Sequence, residues 1–152
     1  YMISCYEAEI ALFPVTAMFI PVITAMGGNV GIQSSAIVVQ GLASNSLGLK
    51  HGMQNILKEL GAALLNATIC SSIIFVLTLF FKLKTLAMPI TVTLSLFVVI
   101  LFASIFGTAF PLLLHKMKID PALATGPFIT LTNDIIGLNI YLITGRIILE
   151  YF

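Results

Sequence analysis

The sequence contains few charged residues. Of its 152 residues, 9% are Asp, Glu, Lys or Arg and 59% are hydrophobic, whereas roughly 25% of the residues in an ordinary soluble domain are charged. The mean hydropathy is +1.12. A soluble domain of this length could not bury so much apolar surface, because a small domain leaves a large fraction of its surface exposed. The composition therefore predicts a protein whose apolar surface faces a lipid bilayer or other membrane helices.

Other absences exclude further classes of protein. The net charge is +1, so there is no basic surface of the kind that binds nucleic acid. The two cysteines, Cys5 and Cys70, have no CxxC spacing and no histidine at ligand spacing, and so indicate neither a zinc site nor a redox motif. No phosphate loop, dinucleotide fingerprint or nucleophile with a placed base indicates an enzyme. The chain begins at Tyr1 without a signal-peptide pattern, and we expect it to start inside a longer protein.

Four apolar windows each exceed the roughly 20 residues that a helix needs to cross a bilayer. They predict membrane-spanning helices at about residues 10–43, 60–81, 86–114 and 121–146, in one transmembrane domain over residues 1–152. Continuous apolar runs favour helices over a β-barrel, whose strands alternate. The predicted fold is therefore an all-α, polytopic bundle. We expect a weak point in the first helix at residues 26–35 and a kink at Pro127.

Asp134 is the only carboxylate within these predicted spans. An unpaired charge at the bilayer centre costs about 2.5 to 3.5 kcal/mol on insertion scales, and Arg146 is about 18 Å along the helix, too far to pair. A bound cation, a water-filled cavity, a neighbouring helix or protonation would each explain its presence. A small, polar helical face that fits a water-lined path surrounds Asp134. Its members are Thr130, Gly137, Tyr141 and Gly145.

The first predicted span has two distinct faces. One face carries Ala25 and three amide residues, Asn29, Gln33 and Gln40. The other repeats small residues at four-residue spacing, which lets helices approach closely. These are Gly27, Gly31 and Ser35. The amides can bind water around a hydrated cation or can bridge neighbouring helices, and the spacing leaves both interpretations open.

The charge of Asp134 favours an oligomer. One carboxylate per chain balances half the charge of a divalent ion, and a two-fold axis would supply the second carboxylate, so we predict a homodimer. Oxygen-only surroundings favour hard ions such as Mg2+, which is often held with several waters retained. These arguments do not distinguish Mg2+ from Mn2+, Co2+ or Ca2+.

Two long stretches carry a family resemblance. Residues 26–34 (MGGNVGIQS), with Pro21 before them and residues 41–43 (GLA) after them, resemble the second membrane helix of the MgtE magnesium channels. Residues 120–127 (DPALATGP) and 133–141 (NDIIGLNIY) resemble the fifth. Residues 58–61 (KELG) and 111–115 (PLLLH) fit the third and fourth, so the resemblance covers nearly the whole chain.

The resemblance implies a homodimer with five membrane helices per subunit in the cell membrane. The second and fifth helices would form an ion pathway at the dimer axis, with hydrated Mg2+ held by Asp134 and with Asn29 and the backbone near Thr130 lining it. The family's first helix, the cytoplasmic N domain and the CBS sensor domains would be missing from this sequence. Three residues depart from those in some members of the family, without removing the aspartate. They are Ala25, Gly126 and Thr130.

The leading hypothesis is a channel or transporter for Mg2+ that is not an enzyme. Asp134 would bind the ion, the small residues of the first span would pack helices, and six residues would line the pore. These six are Ala25, Asn29, Gln33, Gly126, Thr130 and Gly137. Two alternatives stay open: an exchanger coupled to Na+ or H+, and a membrane subunit that serves assembly without transport.

Overall fold

The computed structural model describes residues 15–44, 52–80, 86–124 and 126–151. These residues form four long α-helices: α1 (Val15–Ala43), α2 (Gly52–Leu79), α3 (Ala87–Lys116) and α4 (Pro127–Tyr151). A short 3-10 helix, Pro121–Ala124, precedes α4, and the described residues contain no strand. Each α-helix is long and apolar enough to cross a membrane. The prediction of an all-α chain with four spans is therefore confirmed.

By length and composition, the candidate spans are Thr16–Ala43, Leu57–Leu79, Ala87–Lys116 and Pro127–Ile148. Residues 10–14 of the first predicted span, residue 81 of the second, residue 125 of the fourth and Cys5 lie outside the described residues. Helix α2 begins at Gly52, and its candidate span includes Glu59, which the predicted span left out. Asp134 is therefore not the only carboxylate in a candidate span. The predicted span stopped at this charge, whereas a helix can continue past a charged side chain that finds a hydrogen-bond partner.

Helix α3 lies at the centre of the bundle and packs against α1, α2 and α4, while α1 and α4 also contact each other. Within its apolar stretch, 50% of α3 is buried inside the chain, compared with 22% of α2. The shared core combines side chains from all four helices. Its fully buried members include Ile23, Ala67, Val92, Ile100, Ala103 and Tyr141. Much of the apolar surface of α2 therefore remains outside the described bundle, where lipid or other helices can cover it.

Helix α1 is helical without interruption from Val15 to Ala43, including the predicted weak point at residues 26–35. Glycine lowers helix propensity by about 1 kcal/mol relative to alanine. The glycines of α1 lie instead where other helices come close, and a Cβ atom at Gly27 would lie 2.9 Å from Val99 Cγ1. Close packing against α3 and α4 therefore compensates for the weak propensity of this segment.

The predicted helix start at Pro121 and the predicted kink at Pro127 are both wrong. Pro121 opens the 3-10 helix, in which the Ala122 N–H donates to Asp120 Oδ1 at 2.9 Å. Gly126 has a φ of +72°, in the left-handed region that glycine adopts readily. Pro127 is then the first residue of α4, where its missing N–H leaves no helical hydrogen bond unmade. The chain turns before α4 instead of bending within it.

Candidate cation site

Asp134 lies in the third turn of α4, on the side that meets α1. Its side chain is partly exposed, and a Cβ atom added at Gly28 of α1 would lie 3.4 Å from Asp134 Oδ1. Because Gly28 has no side chain, the backbone of α1 comes close to the carboxylate. Across the described ranges, no hydrogen bond or ion pair involves Asp134. A carboxylate in a membrane-spanning helix is thus placed at a helix contact without a protein partner.

The first turn of α4 connects two of the predicted lining residues. The Thr130 hydroxyl donates to the Gly126 carbonyl at 3.2 Å, and the Thr130 N–H donates to the same oxygen at 3.1 Å. The Thr130 methyl group faces Gly28, where a Cβ atom would lie 3.3 Å from it. Thr130 therefore lies at the same α1–α4 contact as Asp134, one turn toward the start of α4, whereas a Cβ atom at Gly126 would meet nothing within 4 Å.

The predicted lining residues of α1 are exposed. Ala25 and Asn29 are exposed residues of α1 that lie close to Gly28 in the sequence. Gln33 is also exposed, but it lines a cavity between α1, α2 and α3. The structure therefore places Gln33 toward α2 and leaves Ala25 and Asn29 on the surface of the described bundle.

Three residues on the predicted polar face of α4 are buried between helices of this chain. Gly137 lies against α3, and a Cβ atom there would be 3.2 Å from Val99 Cγ1. Gly145 contacts Thr91 of α3 in the same way, and the Tyr141 hydroxyl donates to the Thr16 carbonyl of α1 at 2.9 Å. This part of the face forms packing contacts and lines no open path within the described chain.

The small residues of α1 are buried at the meeting of α1, α3 and α4. A Cβ atom at Gly31 would collide with the side-chain nitrogen of Asn133 and would lie 2.9 Å from Ile129 Cγ2. A Cβ atom at Gly107 of α3 would collide with the Gly31 carbonyl. Ser35 is fully buried one turn further along α1. Helices can approach this closely only where side chains are absent or small.

Sequence reasoning missed two polar residues. Asn133 is 1% exposed, and neither of its amide atoms has a hydrogen-bond partner among the described residues. Glu59 in α2 accepts a hydrogen bond from Ser34 of α1. The signal that could have identified Asn133 was an amide beside an aspartate in an otherwise apolar helix. Glu59 gave no such signal, because it lies next to Lys58 at the edge of an apolar stretch, where a charged residue is expected.

The described part of the chain contains no group of three or more His, Cys, Asp or Glu side chains placed to hold a metal ion. One carboxylate at the α1–α4 contact does not replace the full coordination shell of a divalent ion. It can, however, attract an ion that keeps most of its waters, as Mg2+ commonly does.

Four helices that are long and apolar enough to cross a membrane define the class as a polytopic membrane protein. A carboxylate such as Asp134 within a membrane helix is a common feature of proteins that move ions. A family model described as a divalent cation transporter, MgtE, matches residues 20–144. The chain therefore belongs to the MgtE family, which consists of transport proteins and not enzymes.

Curated relatives agree with this assignment. The chain is 34% identical over 140 residues to the magnesium transporter MgtE of Bacillus subtilis, covering 92% of the chain and 31% of that protein. It is 32% identical over 145 residues to the magnesium transporter MgtE of Thermus thermophilus, covering 95% of the chain and 32% of that protein. The Enterococcus faecalis protein of the same name is 29% identical over 151 residues, covering 99% of the chain and 33% of the relative. The chain thus spans about a third of the length of these relatives.

Proposed function

We propose that this chain forms the membrane pathway of a divalent-cation transporter in the cell membrane and that the transported ion is Mg2+. The proposal rests above all on Asp134, a partly exposed carboxylate at the α1–α4 contact that has no protein partner among the described residues. The printed names of the relatives, which are magnesium transporters, support the choice of ion. A doubly charged cation passing beside Asp134 would offset the cost of holding its charge within a membrane span.

The ion is proposed to keep its hydration shell. Mg2+ loses water reluctantly and is usually bound by one or two carboxylates together with several waters. Asp134 is partly exposed, and such waters would lie on its open side, away from the buried Gly28. Asn29 and Ala25 are exposed on α1, and we propose that the Asn29 amide hydrogen-bonds these waters and that Ala25 lines the same path. The Gly126 carbonyl accepts two hydrogen bonds from Thr130 and lies just before the start of α4. We propose that it lines the path there.

The active form is proposed to be a homodimer. One Asp134 balances half of the charge of Mg2+, and a second chain related by a two-fold axis would supply the other half. Large apolar side chains that flank Asp134 in α4 are exposed, and a partner chain could cover them. They are Leu131 and Ile135. The two-fold axis would then pass close to the α1–α4 contact.

The decisive experiment measures Mg2+ uptake by the full-length protein in liposomes that contain a Mg2+-sensitive dye. We expect Asp134→Asn to lower uptake at least tenfold, since the amide keeps the size of the side chain and removes its charge. Asp120→Asn is the matched control, because Asp120 is exposed outside the spans and asparagine also caps a helical turn. Wild-type uptake by Asp134→Asn would refute the proposal. Uptake that stops when a Na+ or proton gradient is collapsed would identify a coupled exchanger instead of a channel.

A further inference from the structure

A polar cavity of about 300 Å3 lies between α1, α2 and α3 and contains no residue of α4. On the same measure of volume, a cavity needs about 10 to 15 Å3 to hold one water, so this one has room for several. Five of the side chains that line it carry oxygen atoms able to coordinate a cation. They are Gln33 and Ser34 of α1, Glu59 and Asn66 of α2, and Ser104 of α3. The cavity is therefore separate from Asp134 and is built from three helices.

A chain of hydrogen bonds crosses this cavity. The Ser34 hydroxyl donates to Glu59 Oε1 at 2.8 Å, and the hydroxyl oxygens of Ser34 and Ser104 lie 3.2 Å apart. Ser34 is 1% exposed and Ser104 is 2% exposed. The carboxylate of α2 is thereby joined to α1 and α3 through two buried hydroxyl groups, each with lone pairs that can still face the cavity.

Glu59 supplies the negative charge in this cavity. Lys58 is its neighbour in the sequence but is exposed, and no ion pair or bond to its second carboxylate oxygen occurs within the described ranges. Glu59 lies near the beginning of the candidate membrane span of α2. A carboxylate held in this setting without a cationic partner is expected to attract one.

The ligand chemistry selects the class of cation. Carboxylate, hydroxyl and amide oxygens suit hard ions. The described residues that line the cavity include no His, Cys or Met, whose side chains transition metals prefer. One carboxylate neutralises one monovalent cation, whereas a divalent ion would leave one positive charge uncompensated between apolar helices. Neutral oxygens from Ser34, Ser104 and Asn66, with retained water, would complete the coordination.

We propose that this cavity is a second cation site, occupied by one alkali-metal ion held by Glu59 and by the hydroxyl oxygens of Ser34 and Ser104. The ion joins α2 to α1 as well as to α3, which is otherwise the main packing partner of α2. The site is independent of Asp134 and of the transported ion. Binding of the ion stabilises the folded bundle. Once the cation concentration exceeds the dissociation constant, the stabilisation grows with the logarithm of that concentration.

The test measures the melting temperature of the full-length protein in detergent while NaCl or KCl replaces choline chloride at constant ionic strength. Na+ or K+ is expected to raise the melting temperature of the wild type and of Asp134→Asn by several degrees. The shift should disappear in Glu59→Gln and become smaller in Ser104→Ala. The two salts are separate arms, so they show which alkali-metal ion is preferred.

Three results would overturn the assignment: no shift in the wild type, an equal shift in Glu59→Gln, or a Glu59-dependent shift with Mg2+ in place of the alkali-metal ions. If Glu59→Gln does not fold, direct binding of radioactive Na+ and Rb+ to the wild type decides the matter. One saturable site per chain supports the proposal, and no saturable binding refutes it. Asp134→Asn should lose Mg2+ transport and keep the alkali-metal site. The two proposals can therefore fail independently of each other.

Discussion

At the scale of single residues, the proposed site depends on one charge and on one missing side chain. Asp134 could be predicted because a carboxylate is rare in an apolar helix and expensive there. Gly28 could not be singled out, since three glycines stand close together in α1 and their spacing does not show which helix each one faces. The structure places Gly28 against Asp134 and Thr130, and places Gly27 against Val99.

Gly31 offers a test of the close helix contact. Gly31→Ala should lower the free energy of unfolding by about 1 to 3 kcal/mol, the usual cost of an overpacked core. The added Cβ atom would collide with the Asn133 amide and lie 2.9 Å from Ile129 Cγ2. Denaturant unfolding of the purified protein measures the change.

Gly61→Ala is the matched control, because a Cβ atom at this exposed glycine of α2 would meet nothing within 4 Å. It should be neutral or stabilising, by up to about 1 kcal/mol, since alanine favours a helix more than glycine does. Equal effects of the two substitutions would show that helix propensity, and not the contact with α4, governs both positions.

At the scale of helices, α4 is positioned by features outside its apolar pattern, one at its start and one near its middle. Its start follows the 3-10 helix and Gly126, which has a left-handed backbone conformation. Pro121 begins the 3-10 helix and Pro127 begins α4, so neither proline bends α4. Further along, Tyr141 connects α4 to the beginning of α1. The sequence placed Tyr141 on the face of Asp134, but helical periodicity alone could not show that this part of the face packs inside the chain.

Tyr141→Phe is expected to loosen the connection between α4 and α1. The substitution keeps the buried ring and removes the hydroxyl that donates to the Thr16 carbonyl at 2.9 Å. A net loss of about 1 kcal/mol in the free energy of unfolding is expected for one intramolecular hydrogen bond. Unfolding in denaturant, monitored by circular dichroism, measures it, and an unchanged midpoint and slope would show that the bond contributes nothing.

At the scale of the whole molecule, the described chain is a central helix with three neighbours, and one of these, α2, has little of its surface buried. The positions of α1 and α4 leave Asp134 at a partly exposed contact, where a second subunit can contribute its own carboxylate. The proposal of a homodimer rests on two observations together: one Asp134 balances half the charge of Mg2+, and its side chain is partly exposed. Neither observation alone would support a dimer.

Mixed dimers test whether two Asp134 carboxylates act on one ion. Full-length wild-type and Asp134→Asn subunits carrying different affinity tags would be co-expressed, purified through both tags and assayed for Mg2+ uptake. If both charges contribute to one path, uptake should fall well below half of the wild-type rate. Separate paths in each subunit would give about half, and dimers of wild type with Asp120→Asn should retain full activity.

The sequence by itself determined that this protein lies in a lipid bilayer, how many candidate spans it has and which residue is its main candidate for binding a cation. These follow from composition, from the length of apolar runs and from the rarity of charge, all of which are local properties. The tertiary structure decided which neighbours those residues meet. Gly28 adjoins Asp134 and Glu59 reaches Ser34 only after separate helices pack together, and a linear pattern of residues contains no information about distances between helices.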